Sequence, residues 1–245
     1  LNLFVWILVI RQRSTQEDVY PLLRAADRTY DPGYYPLTRR MFRLYGLYPH
    51  PSDDHIGEYL SFAWEECGLE GYDFGAADEH RARAWSQLVA MARGQAPVPA
   101  VEPPGGSAEE RMNAGIPRLK PSGEFAFPII TAEVANRHAF IEAVNIRNDG
   151  LLDGLPDWAV VEVPAVAGAD GLRGVRLGAL PRGVMALLNT QATVQDLVVE
   201  AAVHGSRDLA LQALLADPVV HSATAAEACL DELLHVHAPY LPQFA

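Results

Sequence analysis

A short stretch with three acids and two histidines, HPSDDHIGEY at residues 50–59, holds the densest group of reactive side chains in the sequence. Asp53, or the serine before it, is suited to cap a helix at this point. Asp54 and Glu58, four residues apart, would then share one helix face, with His55 beside them. A carboxylate at a helix start that faces a cleft can remove a proton, helped by a nearby imidazole. Acids in a first turn also stabilise a helix through its dipole, so spacing alone leaves both interpretations open.

The remaining candidates for chemistry are isolated. His235 and His237 are two residues apart, which places them on different sides of a helix and argues against one shared metal ion. Cys67 and Cys229 are far apart and form no CxxC motif, so neither a zinc site nor a disulfide framework is indicated. The sequence contains no GxGxxG motif, P-loop or GxSxG elbow, and therefore no visible cofactor-phosphate site of its own.

Composition limits the class of protein. The chain has 245 residues, of which 49% are hydrophobic, enough for a sizeable core. Its 19 basic and 31 acidic residues give a net charge of −12, which argues against nucleic acid or an anionic membrane surface as a partner. A neutral or small ligand and a reducing, cytoplasmic setting are expected, and no apolar segment is long enough to cross a membrane.

The opening segment LNLFVWILVI, residues 1–10, is typical of a buried strand. It is too short to span a bilayer and lacks the basic region and cleavage site of a signal peptide. It also lacks an initiator Met. We therefore expect a core strand whose partner lies in a segment that precedes residue 1.

Helices are predicted over most of the chain, with a few short strands. The first helix should begin within Ser14–Asp18 and continue to residue 28, and the next should run from Pro36 to a C-cap at Gly46. The apolar residues Ile56, Tyr59, Leu60 and Ala63 fit one face of a third helix, and a fourth is expected at 79–93. The stretch 94–110, rich in Pro and Gly, should be a surface loop or hinge.

The second half predicts strands and then long helices. A helix is expected at 130–143, followed by strands at 143–148, 159–167 and 174–178, of which the second has poor alternation and should be mostly buried. Three helices should follow: one between Pro181 and Gly205, one capped by Ser206, and one that starts with a capping box at Thr224 and Glu227. The fold class is therefore helix-rich α+β.

Several blocks resemble the C-terminal region of the family 4 glycoside hydrolases. The block NIRNDGLLDGLPDWAVVEVPAVAGADG, residues 145–171, is similar to that family's N-(V/I)-P-N-x-G to VEVP stretch, and 175–218 is similar to its helix pair. SDDHIGEY, 52–59, looks like the family's G-D-x-H-x-x-E or S-x-E-H-x-x-E-Y element, and LNLFVWIL, 1–8, looks like its L-N-H-F-x-W motif. The resemblance covers all 245 residues as one catalytic or substrate domain. It implies the lactate-dehydrogenase-like C-terminal fold, with a Rossmann half missing before residue 1.

The resemblance implies an unusual hydrolysis of O-glycosidic bonds in small-molecule glycosides. NAD would oxidise the sugar at C3, a divalent metal such as Mn²⁺ would polarise the ketone, and a base would take the acidified C2 proton before the leaving group departs. The chain looks closest to members acting on α-galactosides, α-glucosides or α-galacturonides. It looks less like the 6-phospho-β-glucosidases, which have a tyrosine where this chain has an aspartate. The family also implies a homodimer or homotetramer.

The resemblance also implies roles for particular residues. Asp53 takes the place of the family's base, with His55 as its motif partner and Asp54 as the alternative if the alignment slips by one residue. Asn2 would lie by the sugar hydroxyls near the metal. Asn145 and Asn148 align with the N-x-x-N element and could bind substrate or fix the loop.

The departures from the family pattern concern its cofactors. Leu3 stands where the family has a metal-binding histidine, and a leucine side chain has no lone pair to donate. The family's cysteine ligand and its NAD fingerprint would both lie before residue 1. We expect this polypeptide alone to be inactive, as the C-terminal part of a glycosidase. Two alternatives are a catalytically dead sugar-binding or oligomerisation module, and a sequence error or drift at Leu3 and Val9.

Overall fold

The computed structural model describes residues 4–50, 52–67, 74–97 and 123–244. The chain divides into two compact units, one made of Leu1–Leu69 with Phe125–Ala245 and one of Glu70–Glu124. The fold class is helix-rich α+β, as the sequence predicted. No described helix has the length and apolar character needed to span a membrane.

The larger unit contains two small antiparallel sheets and eight described α-helices. Its N-terminal elements are β1 (Val5–Ile7), α1 (Tyr20–Asp27), α2 (Pro36–Tyr45), β2 (Tyr48–His50), α3 (Asp53–Gly57) and α4 (Trp64–Cys67). The helix α5 (Phe74–Ala92) belongs to the smaller unit. The larger unit continues with α6 (Ala126–Val134), β3 (Ala139–Arg147), β4 (Val160–Gly168), β5 (Gly171–Gly174), α7 (Arg182–His204), α8 (Arg207–Ala216) and α9 (Ala223–Val236).

The opening strand has a partner inside the chain. β1 pairs antiparallel with β2, with Trp6 opposite Pro49. The prediction that its partner would precede residue 1 missed β2, because YPH at 48–50 is too short and too rich in proline to be recognised as a strand. The strand is also shorter than expected, although Phe4 and Trp6 are buried as a core strand requires.

The main core joins α2 and α3 to the second sheet and to α7. Leu37 and Met41, one turn apart in α2, are completely buried. Ile56 of α3, Val163 of β4 and Val184 of α7 complete the same cluster. The third predicted helix is thus much shorter than expected, but its apolar anchor Ile56 does face the core.

The first helix begins later than predicted. Residues 11–18 form a turn closed by a bridge between Arg11 and Asp18, and α1 starts at Tyr20. The Asp18 carboxylate accepts a hydrogen bond from the backbone N–H of Tyr20 at 2.9 Å. The acid thus caps the helix from outside it, and the polar STQED segment is not helical. The second helix and its left-handed cap at Gly46 are confirmed.

The predicted helix at 130–143 is wrong in its second half. α6 ends at Val134, and Asn136 and His138 take left-handed backbone conformations that no helix accommodates. β3 then pairs with β4, which buries Ile141 and Val144 against the small residues of the neighbouring strand. Helical spacing of apolar residues was outweighed here by strand pairing over nine residues.

The strand β4 confirms the prediction at 159–167, but its burial alternates. Val161 and Val163 are buried, whereas Val160 and Glu162 face outward; the rest of the strand is buried or half-buried, so it is mostly buried, as predicted. The third strand is β5, before the predicted 174–178 segment. β4 is central, flanked by antiparallel β3 and β5.

The C-terminal helices follow the predicted order. Gly205 ends α7 in a left-handed conformation, and the Ser206 hydroxyl accepts a hydrogen bond from the N–H of Leu209 at 3.3 Å, as a cap should. The capping box at Thr224 is wrong, because Ser222 is the N-cap of α9. In the smaller unit, α5 confirms the fourth predicted helix, with an earlier start. Residues 98–110 of the Pro/Gly-rich loop lie outside the described residues.

Candidate functional site

The reactive stretch at 52–59 begins a very short helix. Ser52 is the N-cap of α3 in an extended conformation, and the helix spans only Asp53–Gly57. Ile56 is completely buried, which anchors the helix in the core. The three side chains before it therefore start from a fixed backbone: Asp53, Asp54 and His55.

Asp53 binds the beginning of α2. Its Oδ2 accepts a hydrogen bond from the N–H of Leu37 at 3.0 Å, and its Oδ1 accepts one from the N–H of Thr38 at 2.7 Å. The first amides of a helix have no partner within the helix, and Tyr35, the N-cap of α2, has no capping hydrogen bond from its side chain. Asp53 supplies that cap from another element and joins α2 to α3.

Asp54 is the exposed carboxylate of the element. The Ser52 hydroxyl donates a hydrogen bond to its Oδ1. This bond lowers the pKa of Asp54, against the opposing effect of burial, and the neighbouring His55 backbone and ring support the decrease. Asp54 is therefore ionised at neutral pH and remains accessible from solvent.

His55 lies half-buried between the acids. Its Nδ1 is 3.4 Å from Oε1 of Glu58, one turn further along. The two atoms are close enough for an ion pair but do not form a hydrogen bond. Within the described part of the chain, Nδ1 is one of four buried side-chain polar atoms that have no hydrogen-bond partner. An imidazole beside two carboxylates can accept or donate a proton as its surroundings require.

Tyr48, at the start of β2, also belongs to this neighbourhood, which sequence reasoning missed. Burial raises the pKa of Tyr48, and the nearby Tyr34, Asp53 and Tyr35 add to the increase. Tyr34 and Tyr35 come from the loop before α2. The one sequence signal was the TYDPGYYP segment, whose tyrosines could have been noticed as an aromatic group next to a predicted helix start.

The two asparagines of the N-x-x-N element differ in burial and in hydrogen bonding. Asn148 is fully buried. Its amide nitrogen donates to the carbonyls of Leu152 and Leu155 at 3.1 Å each, and its Oδ1 accepts from the N–H of Leu152 at 2.7 Å. It holds the loop between β3 and β4. Asn145 is exposed on β3 opposite Glu162, and its side chain makes no hydrogen bond within the described residues.

The next question is which residues of this chain could bind a metal ion or NAD. Among the described residues, no group of three or more His, Cys, Asp and Glu side chains is placed to hold a metal ion. Asn2 and Leu3 lie outside the described residues. No GxGxxG motif occurs in the sequence.

Comparison with known proteins bears on the whole chain. The family model described as "Family 4 glycosyl hydrolase C-terminal domain" matches residues 1–220. An α-glucosidase of Erwinia rhapontici is 39% identical over 99 residues, which is 40% of this chain and 22% of that protein. An α-galactosidase of Bacillus subtilis (strain 168) is 25% identical over 259 aligned residues, which covers 100% of this chain and 54% of that protein.

The fold has a counterpart among solved structures. A 6-phospho-α-glucosidase from gut microorganisms, in complex with NAD and Mn²⁺, matches 99% of this chain and 55% of that chain with a TM-score of 0.70 and 19% identity. At this identity the likeness supports the fold alone. Even where the alignment takes in the whole chain, it spans only about half the length of the relative.

Proposed function

We propose that this chain, which belongs to the family 4 glycoside hydrolases and carries their C-terminal domain, provides the sugar-facing proton-transfer group of a glycosidase. The bond cleaved would be an O-glycosidic bond, and the substrate an α-galactoside, α-glucoside or α-galacturonide. The α-glucosidase and α-galactosidase among the relatives support an α-glycoside. The acidic net charge of −12 supports a substrate without strong negative charge.

The observation that carries the proposal is the geometry of Asp53, Asp54 and His55 at the start of α3. Asp53 uses both carboxylate oxygens to bind α2, so its part is to position the element. Asp54 is exposed and ionised at neutral pH, so its carboxylate is accessible to a proton of the substrate. His55 lies next to it and can pass that proton on. We therefore assign removal of the C2 proton to Asp54, assisted by His55. Asp53 is assigned a positioning role.

The proposal limits what this chain does by itself. In the family, NAD and a divalent metal would supply the oxidation at C3 that makes the C2 proton acidic. In the part of the chain that the structure describes, no group of three or more His, Cys, Asp and Glu side chains is placed to hold a metal ion. The 245 residues alone should therefore show no turnover, and we expect activity only in a polypeptide of about the relatives' length. The cytoplasmic setting and the homodimer or homotetramer remain predictions from the sequence.

The test uses the polypeptide encoded by the complete gene that contains this sequence. It would be incubated with p-nitrophenyl α-galactoside and α-glucoside, with and without NAD and Mn²⁺. We expect release of p-nitrophenol that requires NAD and is lost in Asp54→Asn, whereas Asp196→Asn, an exposed acid in α7, retains it. Release that is independent of NAD would contradict the proposal.

A binding or oligomerisation module is the second candidate. It is favoured by Leu3, which offers no metal ligand. It predicts sugar binding or oligomers without turnover, even from the complete gene product supplied with NAD and Mn²⁺. The hydrolysis assay therefore decides between the two candidates.

A further inference from the structure

Three exposed tyrosines form an aromatic group in the loop between α1 and α2. The ring centroids of Tyr30 and Tyr34 are 5.2 Å apart in an edge-on arrangement, and those of Tyr34 and Tyr35 are 4.5 Å apart. The three side chains are exposed by 57%, 48% and 38%. Tyr34 contacts both neighbours, so the three rings form one continuous exposed aromatic patch, the kind of surface at which ligands bind. We call this group the tyrosine cluster.

The loop that carries the tyrosine cluster is held by a buried cation. Arg39 of α2 is almost completely buried and pairs with the carboxylate of Asp27 at 2.6 Å. The same guanidinium donates to the backbone carbonyls of Asp27 and Asp31, at the two ends of the loop's first turn. The Asp31 carboxylate in turn accepts from the N–H of Gly33 at 2.9 Å. The rings therefore sit on a fixed backbone, which reduces the entropy lost when a ligand binds.

The tyrosine cluster ends at the start of α2. Tyr35 is the N-cap of α2, and the helix whose start it marks is the one that Asp53 caps. Tyr35 also has a φ of 45°, a left-handed conformation that a bulky residue adopts only when its surroundings require it. Burial raises the pKa of Tyr48, and Tyr34, Asp53 and Tyr35 all lie close enough to raise it further.

The chemistry of this surface fits a sugar. The face of a tyrosine ring packs against the C–H face of a pyranose, and the phenol hydroxyl can donate to or accept from a sugar hydroxyl. The cluster contains no charged side chain, which suits a neutral ring. We propose that the tyrosine cluster is a stacking surface that binds the pyranose ring of an α-glycoside, at the start of the helix that Asp53 caps. This inference rests on the proposed glycosidase function and adds the residues that hold the substrate.

The test measures binding rather than turnover, so that it stands apart from the hydrolysis assay. Methyl α-D-galactopyranoside and methyl α-D-glucopyranoside would be titrated into the 245-residue chain, with affinity followed by ligand-observed NMR. Tyr34→Ala should weaken the affinity about tenfold through loss of the ring face. Tyr34→Phe, which keeps the ring, should stay within about twofold. Tyr240→Ala removes an exposed tyrosine from the C-terminal 3₁₀ turn and should leave the affinity unchanged.

Three results would overturn the stacking surface. One is equal affinity in the parent chain and Tyr34→Ala, and another is no binding of either pyranoside by the parent. The third is a change in particle mass by light scattering in Tyr34→Ala without a change in sugar affinity, which would identify the cluster as a protein contact. Each of these leaves the NAD-dependent hydrolysis assay as a separate test of the glycosidase proposal. Circular dichroism of Tyr34→Ala checks that the exposed substitution leaves the fold intact.

Discussion

The Oδ1 atom of Asp53 lies 2.7 Å from the backbone nitrogen of Thr38. A side chain at the start of one helix thereby caps the start of another, and the reactive stretch at 52–59 is tied to the loop that carries the tyrosine cluster. The sequence suggested that an acid here would either cap its own helix or take part in catalysis. The structure adds a third role, in which Asp53 fixes the relative positions of α2 and α3.

Asp53→Asn should destabilise the larger unit. The amide has one oxygen and one NH₂ group, so it can accept from Leu37 or Thr38 but not from both as the carboxylate does. We expect the free energy of unfolding to fall by about 1 kcal/mol, the usual cost of losing a helix cap. Urea denaturation measures this. Asp54→Asn, at an exposed position, is the control and should change stability by less than about 0.5 kcal/mol. Equal effects of the two substitutions would contradict the capping role.

Asp27 should make stability depend on pH in the acid range. Burial alone would raise the pKa of Asp27, but hydrogen bonds from Arg39 and Arg43 outweigh it and the pKa is lowered. As the pH falls, the unfolded state therefore takes up its proton first, near its ordinary pKa of about 3.9. The contribution of Asp27 is fully present above that pH and is lost as the pH drops towards the folded-state pKa. Asp27→Asn should have a flatter stability profile below about pH 5, and an unchanged slope would contradict this account.

Asn148 and Asn145 should behave in opposite ways. Asn148→Ala leaves several buried loop groups without a partner, so we expect a loss of about 2–4 kcal/mol in the free energy of unfolding. Asn145→Ala, at an exposed position, should be nearly neutral. Thermal and urea denaturation of both variants measure this difference. A residue that only binds substrate would leave the stability unchanged when replaced. A stable Asn148→Ala variant would return Asn148 to the list of substrate-binding candidates.

Gly205 should be hard to replace because the chain's end packs against it. A Cβ atom at this position would lie 1.7 Å from the carbonyl oxygen of Gln243, and its φ is 61°. Gly46, the cap of α2, has a φ of 76° but nothing within 4 Å of such a Cβ. Gly46→Ala should therefore cost about 1–2 kcal/mol from backbone strain alone, and Gly205→Ala should cost more. Equal costs would mean that the C-terminal turn moves away freely.

Leu3 allows a test of the metal argument from the sequence. If a histidine belongs at this position, Leu3→His in the complete gene product should strengthen Mn²⁺ binding, which electron paramagnetic resonance can measure without any substrate. Leu3→Asn, a substitution without an imidazole, is the control. Strong Mn²⁺ binding by the protein with Leu3 in place would contradict the idea that this leucine removes a ligand.

Elements with one strong local signal were predictable from the sequence. α2, α7 and α8 have clear starts or glycine ends, and the family resemblance rested on the block at 145–171. Three errors have a common cause. The late start of α1 depends on a local turn at 11–18, and the strand at 139–143 and the pairing of β1 with β2 depend on pairing with other strands; the periodicity of apolar residues encodes none of these.

The candidate site divides in the same way. The residue types at Asp53, Asp54 and His55 were visible in the sequence, but their separate tasks were not. Which carboxylate binds α2 depends on a contact between residues fifteen and sixteen positions apart. The tyrosine cluster was missed because its members lie in a loop between predicted helices, where the contacts among their rings depend on the loop's conformation.

The most direct test of the central claim measures whether deuterium from the solvent is incorporated at C2 of the sugar product. The complete gene product would hydrolyse an aryl α-glycoside in D₂O with NAD and Mn²⁺, and NMR would read the C2 position of the released sugar. If Asp54 with His55 removes the C2 proton, the product should carry deuterium there, and Asp54→Asn should lose both turnover and label. Hydrolysis that leaves the original hydrogen at C2 would contradict the account.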